Sequence, residues 1–91
     1  MTELRIPTPL RTYTEGKSEI QITGHTIAEA LDDLVAQYPD MQQHIFTEDG
    51  QLRPFINLFL GENNVKDLEQ GLDTPLEGNQ RLLLIPSIAG G

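Results

Sequence analysis

The chain ends in two glycines, Gly90 and Gly91, and the α-carboxylate of Gly91 is its most distinctive reactive group. Glycine has no Cβ and tolerates almost any backbone angle, so a segment that ends this way can enter a narrow tunnel. We expect Ile88, Ala89 and Gly90 to thread such a tunnel and to present Gly91 to another protein's active site. A carboxylate becomes electrophilic once it attacks the α-phosphate of ATP, because the resulting acyl-adenylate can then be opened by a sulfur or nitrogen nucleophile.

Side chains that could perform catalysis are sparse. The chain has no cysteine, which excludes disulfides, thiolate metal sites and cysteine nucleophiles. His25 and His44 lack a metal-binding spacing, and both are interpreted as ordinary surface or boundary residues. Asp32 and Asp33 are adjacent on a predicted helix, where neighbouring residues do not face each other. We therefore predict no catalytic residue, no metal site and no bound cofactor, which indicates a carrier or binder rather than an enzyme.

The formal net charge is −8, and it is unevenly distributed. Residues 1–24 are balanced, whereas residues 25–80 carry eleven acidic residues against Arg53 and Lys66. Nucleic-acid binding needs clustered lysine and arginine and is not expected. The acidic surface is consistent with a basic protein partner or with simple solubility, and both interpretations stay open.

The length of 91 residues predicts one small domain. No segment approaches the roughly 18 apolar residues that a membrane helix requires, so no membrane association is expected. The first five residues do not resemble a secretion signal, which favours a cytoplasmic location. We expect a folded domain over residues 1–86 and a flexible Gly-Gly tail over residues 87–91.

One helix and four main strands must position the tail. Thr26 and Glu29 form a capping-box pattern, an apolar stripe follows at helical spacing, and Pro39 ends the helix. Hydrophobic alternation and turn residues predict the strands. These strands cover residues 4–6, 18–23, 54–60 and 80–85, with a hairpin turn over 10–17, a further short turn over 40–46, a brief pairing at 65 and irregular chain over 68–76.

This order predicts an α+β fold of the β-grasp, or ubiquitin-like, type. Its mixed sheet would have four to five strands, with the one main helix packed on one face. In that arrangement the last strand lies beside the first, in the middle of the sheet. The tail would then leave a rigid platform.

The predicted last strand is apolar on both faces. Strand alternation places Leu82 and Leu84 in the core and leaves Leu83 and Ile85 on the opposite face, together with Phe59. Because one helix covers only one face, these three side chains are predicted to form an exposed patch that binds a protein partner. Cover by loops 10–17 or 68–76, or a homodimer contact, are the alternatives.

The sequence resembles the ThiS/MoaD-type sulfur-carrier proteins, and within them the CysO-like carriers. The resemblance spans nearly the whole chain. It rests on the segments 6–11, with the sequence IPTPLR, 26–27, with TI, 55–57, with FIN, and 85–91, with IPSIAGG. Segment 63–76 departs from the shorter family members.

The resemblance implies a sulfur carrier. An activating enzyme of the MoeB/ThiF type, using ATP and magnesium, would adenylate Gly91, and the adenylate would become a thiocarboxylate that donates sulfur. In CysO-like systems the acceptor enzyme is a PLP-dependent cysteine synthase, and a metalloprotease releases cysteine. The family's exposed hydrophobic contacts correspond to Ile85 and approximately to Phe59. Alternatives are a MoaD-like or ThiS-like carrier for molybdopterin or thiamine, and a ubiquitin-like modifier that is conjugated to proteins through Gly91.

Overall fold

A mixed β-sheet organises the computed structural model of the chain, which describes residues 2–54, 56–77 and 80–86. Within the described residues the strands are β1 (Thr2–Arg5), β2 (Glu19–Ile22), β3 (Ile56–Leu60), β4 (Asn63–Asn64) and β5 (Arg81–Pro86). In the spatial order β2-β1-β5-β3-β4, strands β1 and β5 are parallel and the other neighbours are antiparallel. The predicted β-grasp arrangement is confirmed, with the last strand beside the first.

The β1–β2 hairpin has a longer and more ordered connection than the sequence predicts. Ile20 and Ile22 are buried while the residues between and before them are exposed, as expected for a strand with one face on the core. The predicted turn over 10–17 is instead a 3₁₀ helix, Thr8–Thr14, with a proline in its first turn. The chain then reverses through Glu15 and Gly16, which have φ angles of 57° and 80°.

Helix α1 (Ile27–Gln37) forms as predicted and packs on one face of the sheet. The Thr26 side chain accepts a hydrogen bond from the Glu29 N–H at 3.2 Å, which caps the first turn. Glu29 returns a bond to the N–H of His25 rather than to that of Thr26, so the capping box is shifted by one residue. The buried helix residues are Ile27, Ala30, Leu31 and Leu34, while Val35 and the C-cap residue Tyr38 are partly buried.

Gly24 allows the chain to pass from β2 into α1 at very close range. A Cβ at this position would lie 2.5 Å from the backbone nitrogen of Ala30 and 2.7 Å from the carbonyl carbon of Glu29. No side chain fits there, because both neighbours are helix backbone. Gly24 therefore sets how closely the start of the helix approaches the sheet.

The rest of the chain closes the same side of the sheet as α1. Helix α2 (Met41–Ile45) and two 3₁₀ helices, Val65–Asp67 and Gly71–Asp73, complete the described elements. Leucines of the irregular segment 68–76 pack against the core at positions 68, 72 and 76. None of the helices in the described ranges has the length and apolar character needed to cross a membrane.

Candidate functional site

The site of interest begins where β5 ends. Pro86, its last residue, is paired with Ile56 at the start of β3. Gly91 follows five positions later in the sequence. The predicted tail residues Ile88, Ala89, Gly90 and Gly91 lie outside the described residues, so their roles stay predictions. The same holds for Phe55 in the third predicted strand.

Strand β5 is paired with a strand on each edge, and one of its faces packs against the core. It pairs with β1 along one edge and with β3 along the other, and Leu82 and Leu84 are almost completely buried. Central strands of this kind open with free energies close to that of global unfolding. The chain therefore reaches Pro86 as part of the rigid core of the sheet.

The outer face of the sheet brings the three predicted contact residues together. Leu83 lies directly opposite Phe59 in the β3–β5 ladder, and Ile85 follows two residues later on the same face. Ile85 is 40% exposed, while Phe59 and Leu83 are half-buried. The leucines of segment 68–76 pack against the core on the other side, so that segment does not cover this patch. We call these three side chains the outer-face patch.

Ion pairs border the outer-face patch on its β1–β2 side. Arg5 lies 3.5 Å from Glu19, and Arg81 lies 3.0 Å from Glu3. Arg5 is also the direct neighbour of Leu83 across the parallel β1–β5 ladder. Exposed pairs of this kind contribute little to stability, about 0–1 kcal/mol each. Their main effect is that the apolar side chains are bordered on this side by paired charges of opposite sign.

The remaining cations gather at the end of the sheet where β5 stops. Arg11 donates from Nε to the carbonyl of Ile6 at 3.1 Å, and Arg53 donates from Nε to the carbonyl of Gln43 at 2.7 Å. The Lys66 ammonium lies 3.5 Å from the carbonyl of Pro54. Sequence patterns could not predict this grouping, because the residues are far apart along the chain.

The two histidines lie in different local environments. The His44 ring stacks on Tyr13 with a centroid distance of 3.9 Å. His25 is exposed, and its backbone carbonyl accepts from the N–H of Leu76. Across residues 2–54, 56–77 and 80–86, no three side chains of histidine, aspartate or glutamate are grouped to hold a metal ion.

The Asp32–Asp33 pair divides into two different roles. Asp32 is exposed, as predicted for a solvated helix face. Asp33 instead accepts hydrogen bonds from the Thr23 N–H at 2.9 Å and from the Gln37 side chain at 3.1 Å. Asp33 therefore ties the helix to the loop after β2, and neither carboxylate faces the other for catalysis.

Comparisons with known proteins agree on the family. The model of the ThiS family matches residues 4–91. The "Sulfur carrier protein CysO" of Mycobacterium tuberculosis (strain ATCC 25618 / H37Rv) is 28% identical over 88 residues, covering 94% of each chain. A chain in the crystal structure of the Amycolatopsis orientalis BexX/CysO complex has a TM-score of 0.89 at 28% identity and full coverage of both chains.

A second group of similar structures carries a different name. The solution structure of small archaeal modifier protein 1 from Methanosarcina acetivorans is 27% identical, with a TM-score of 0.83 over 99% of this chain and 95% of that one. The family match, which reaches from β1 to the final glycine, includes both the described sheet and the tail sequence. This chain belongs to the ThiS family and has its β-grasp fold.

Proposed function

We propose that this protein is a sulfur carrier whose C-terminal Gly91 is adenylated and then converted to a thiocarboxylate. The observation that carries the proposal is the match to the ThiS family over residues 4–91, which includes the Gly-Gly end. The similarity to a named sulfur carrier along 94% of both chains supports it. Within this account the chain is a substrate, and the catalytic groups belong to its partners.

The proposed chemistry uses one group of this chain. The Gly91 carboxylate attacks the α-phosphorus of ATP, pyrophosphate leaves, and an acyl-adenylate forms. Hydrosulfide then attacks the carbonyl carbon, AMP leaves with the bonding electrons, and loss of the S–H proton leaves sulfur on the carbonyl carbon as a thiocarboxylate. The absence of cysteine suits this step, because the chain has no thiol that could attack its own activated carbonyl.

We propose an activating enzyme of the MoeB/ThiF type, which would use ATP and magnesium, as the first partner. The outer-face patch supports a protein contact, because exposed apolar side chains beside a functional group usually mark an interaction surface. Phe59, Leu83 and Ile85 would then rest on the partner while the tail enters its active site. The nearby ion pairs would lie at the rim of that contact, where charges affect specificity more than affinity.

We propose cysteine biosynthesis as the pathway, because the similar Mycobacterium protein is named CysO. The sulfur acceptor would then be an activated serine derivative on a PLP-dependent cysteine synthase. A metalloprotease would release the product from Gly91.

A protein modifier is the second candidate. It is favoured by the similarity to small archaeal modifier protein 1, because that protein is named a modifier. The same adenylate serves both fates, and only the nucleophile differs. Conjugates of higher mass in cells, lost when Gly91 is deleted, would support this candidate.

Reconstitution tests the carrier proposal. The full chain is incubated with the activating enzyme of its own organism, ATP, magnesium and a sulfur source, and its intact mass is measured. We expect a mass increase equal to the difference between one sulfur and one oxygen atom, and no increase for a chain that lacks Gly91. An unchanged mass with an enzyme that demonstrably binds the chain would contradict the proposal.

A further inference from the structure

The cations of this chain are divided into two sets by their partners. The chain has six lysines and arginines and fourteen aspartates and glutamates, so there are enough carboxylates for every cation to form an ion pair. Arg5 and Arg81, on the outer sheet face, do so. The other four, Arg11, Lys17, Arg53 and Lys66, have no side-chain carboxylate of the described residues within 4.0 Å.

All four uncompensated cations lie in segments at one end of the sheet. Arg11 and Lys17 belong to the β1–β2 connection, where the Ile6 N–H bonds to the carbonyl of Ser18. Arg53 comes three residues before β3, whose first residue is paired with Pro86. The Lys66 ammonium approaches the carbonyl of Pro54 beside the same strand end.

These segments flank the last residue of β5 on both sides. Extending the parallel β1–β5 register by one residue places Ile6 beside Leu84, and Pro86 is opposite Ile56. Neighbouring strands are about 4.8 Å apart. The backbone carbonyls that Arg11 and Lys66 contact, those of Ile6 and Pro54, therefore lie close to Pro86, the last residue of β5. Glu15, Glu48, Asp49 and Asp67 occur in the same segments, yet none has a carboxylate oxygen within 4.0 Å of a side-chain nitrogen of these cations. We call Arg11, Lys17, Arg53 and Lys66 the exit cations.

The arginines are positioned as well as charged. Arg11 and Arg53 are partly buried, and each is fixed by a bond from Nε to a backbone carbonyl. A guanidinium has five N–H donors in a planar fork that suits carboxylates, and the Nε bond uses one of them. Lys17 and Lys66 are exposed and add mobile positive charge at the same end.

We propose that the exit cations bind carboxylates of the partner protein at the mouth of the tunnel that receives the tail. This inference rests on the proposed function, because it assumes that the tail enters a partner. The occupant is a protein surface and not the nucleotide, for a reason of distance. Five extended residues span up to about 17 Å, so Gly91 and its adenylate would lie well beyond the exit cations. At physiological salt that distance exceeds the Debye length of about 8 Å.

The exit cations would steer association in an otherwise acidic protein. A chain of net charge −8 is repelled by an acidic surface at long range, so local positive charge must select both the face and the orientation that approach. Strand β5 ends between the segments that carry these cations. Correct electrostatic orientation would therefore align the tail with the tunnel before the outer-face patch makes contact.

Two double variants with the same net charge test this proposal. Lys17→Gln/Lys66→Gln removes two exposed exit cations, and Gln21→Glu/Asn63→Asp adds two negative charges at the opposite end of the sheet. Each changes the formal net charge from −8 to −10, because two positive charges are lost or two negative charges are gained. All four positions are exposed, so we expect both variants to unfold at nearly the same temperature as the wild type, checked by thermal unfolding.

The measurement is kcat/KM for the carrier with the activating enzyme of its own organism, at low and high salt. At about 0.01 M salt, the lysine variant should lose about three- to tenfold, and the loss should disappear at about 1 M, where the Debye length is about 3 Å. For the matched acidic variant, Gln21→Glu/Asn63→Asp, the logarithm of kcat/KM should fall by less than half as much as it does for the lysine variant. The KM for ATP should stay unchanged.

Two results would overturn the proposal while leaving the carrier function intact. Equal behaviour of the two double variants would mean that only overall charge matters. A raised KM for ATP in the lysine variant would mean that the cations act on the nucleotide. If the wild-type chain itself gives no thiocarboxylate, the proposed function fails instead, so the two failures are distinguishable.

Discussion

At the scale of single residues, Ile85 departs most clearly from what stability alone requires. It is 40% exposed in a central strand, and no other large hydrophobic side chain of the described ranges is classed as exposed. A polar residue at this position would serve the fold equally well. In the proposed contact with a partner protein, Ile85 would be covered together with Leu83 and Phe59.

We predict that Ile85→Glu leaves the fold intact and impairs conversion at Gly91. The substitution places a charge where a partner would have to desolvate it, so we expect kcat/KM with the activating enzyme to fall at least tenfold, about 1.4 kcal/mol. Gln21→Glu, on the same sheet face at the other end, is the matched control and should retain nearly full activity. Wild-type kinetics for Ile85→Glu would remove the outer-face patch from the interface.

We also predict a purely structural role for Thr26. Its Oγ1 accepts the Glu29 N–H, so Thr26→Ala should lower the free energy of unfolding by about 1 kcal/mol. Thr23→Ala is the control, because Thr23 is exposed and uses its backbone N–H to bind Asp33. Urea unfolding of both variants measures the difference. Equal midpoints would show that the cap contributes nothing.

At the scale of elements, the side chains of β5 form two rows, one buried in the core and one on the outer face of the sheet. Leu82 and Leu84 anchor the strand, whereas Leu83 and Ile85 face outward. The strand is thus both the centre of the core and the base of the tail. Changes to the two rows should therefore separate stability from partner binding.

Substituting neighbouring leucines tests that separation. Leu82→Ala should cost about 2–5 kcal/mol of unfolding free energy, because it leaves a cavity in a fully buried site. Leu83→Ala should cost about 1 kcal/mol or less but slow conversion at Gly91. Denaturant unfolding and carrier kinetics on the same samples provide both readouts. A larger stability loss for Leu83→Ala would contradict the assignment of the two rows.

The sequence predicted the elements whose signals are local and strongly periodic. Helix α1 was predictable because Thr26, Glu29 and Pro39 mark its ends and its apolar residues repeat at helical spacing. The 3₁₀ helix Thr8–Thr14 was not, because proline and polar residues fit a turn and a 3₁₀ helix equally well. The predicted brief pairing at Val65 was displaced to Asn63–Asn64, where the chain turns back after Gly61.

At the scale of the whole molecule, one side of the sheet packs against the core, and the other side and one end carry the proposed partner contacts. The outer-face patch was predictable, because strand alternation alone places Phe59, Leu83 and Ile85 on one face. The exit cations were not, because positions 11, 17, 53 and 66 meet only through the sheet topology. Charge counts along the sequence therefore suggested an acidic surface and did not show that four cations without an ion-pair partner among the described residues lie at one end of the sheet.

The central claim is that Gly91 carries the sulfur, and the lack of cysteine allows a direct measurement. The protein is purified from its native cells, treated with a thiol-selective alkylating reagent, and measured by intact-protein and C-terminal peptide mass spectrometry. We expect one alkyl group per chain on the peptide that contains Gly91, since the chain has no cysteine thiol that could react with the reagent instead. An unmodified C-terminus throughout the population, or Gly91 joined only to lysines of other proteins, would contradict it.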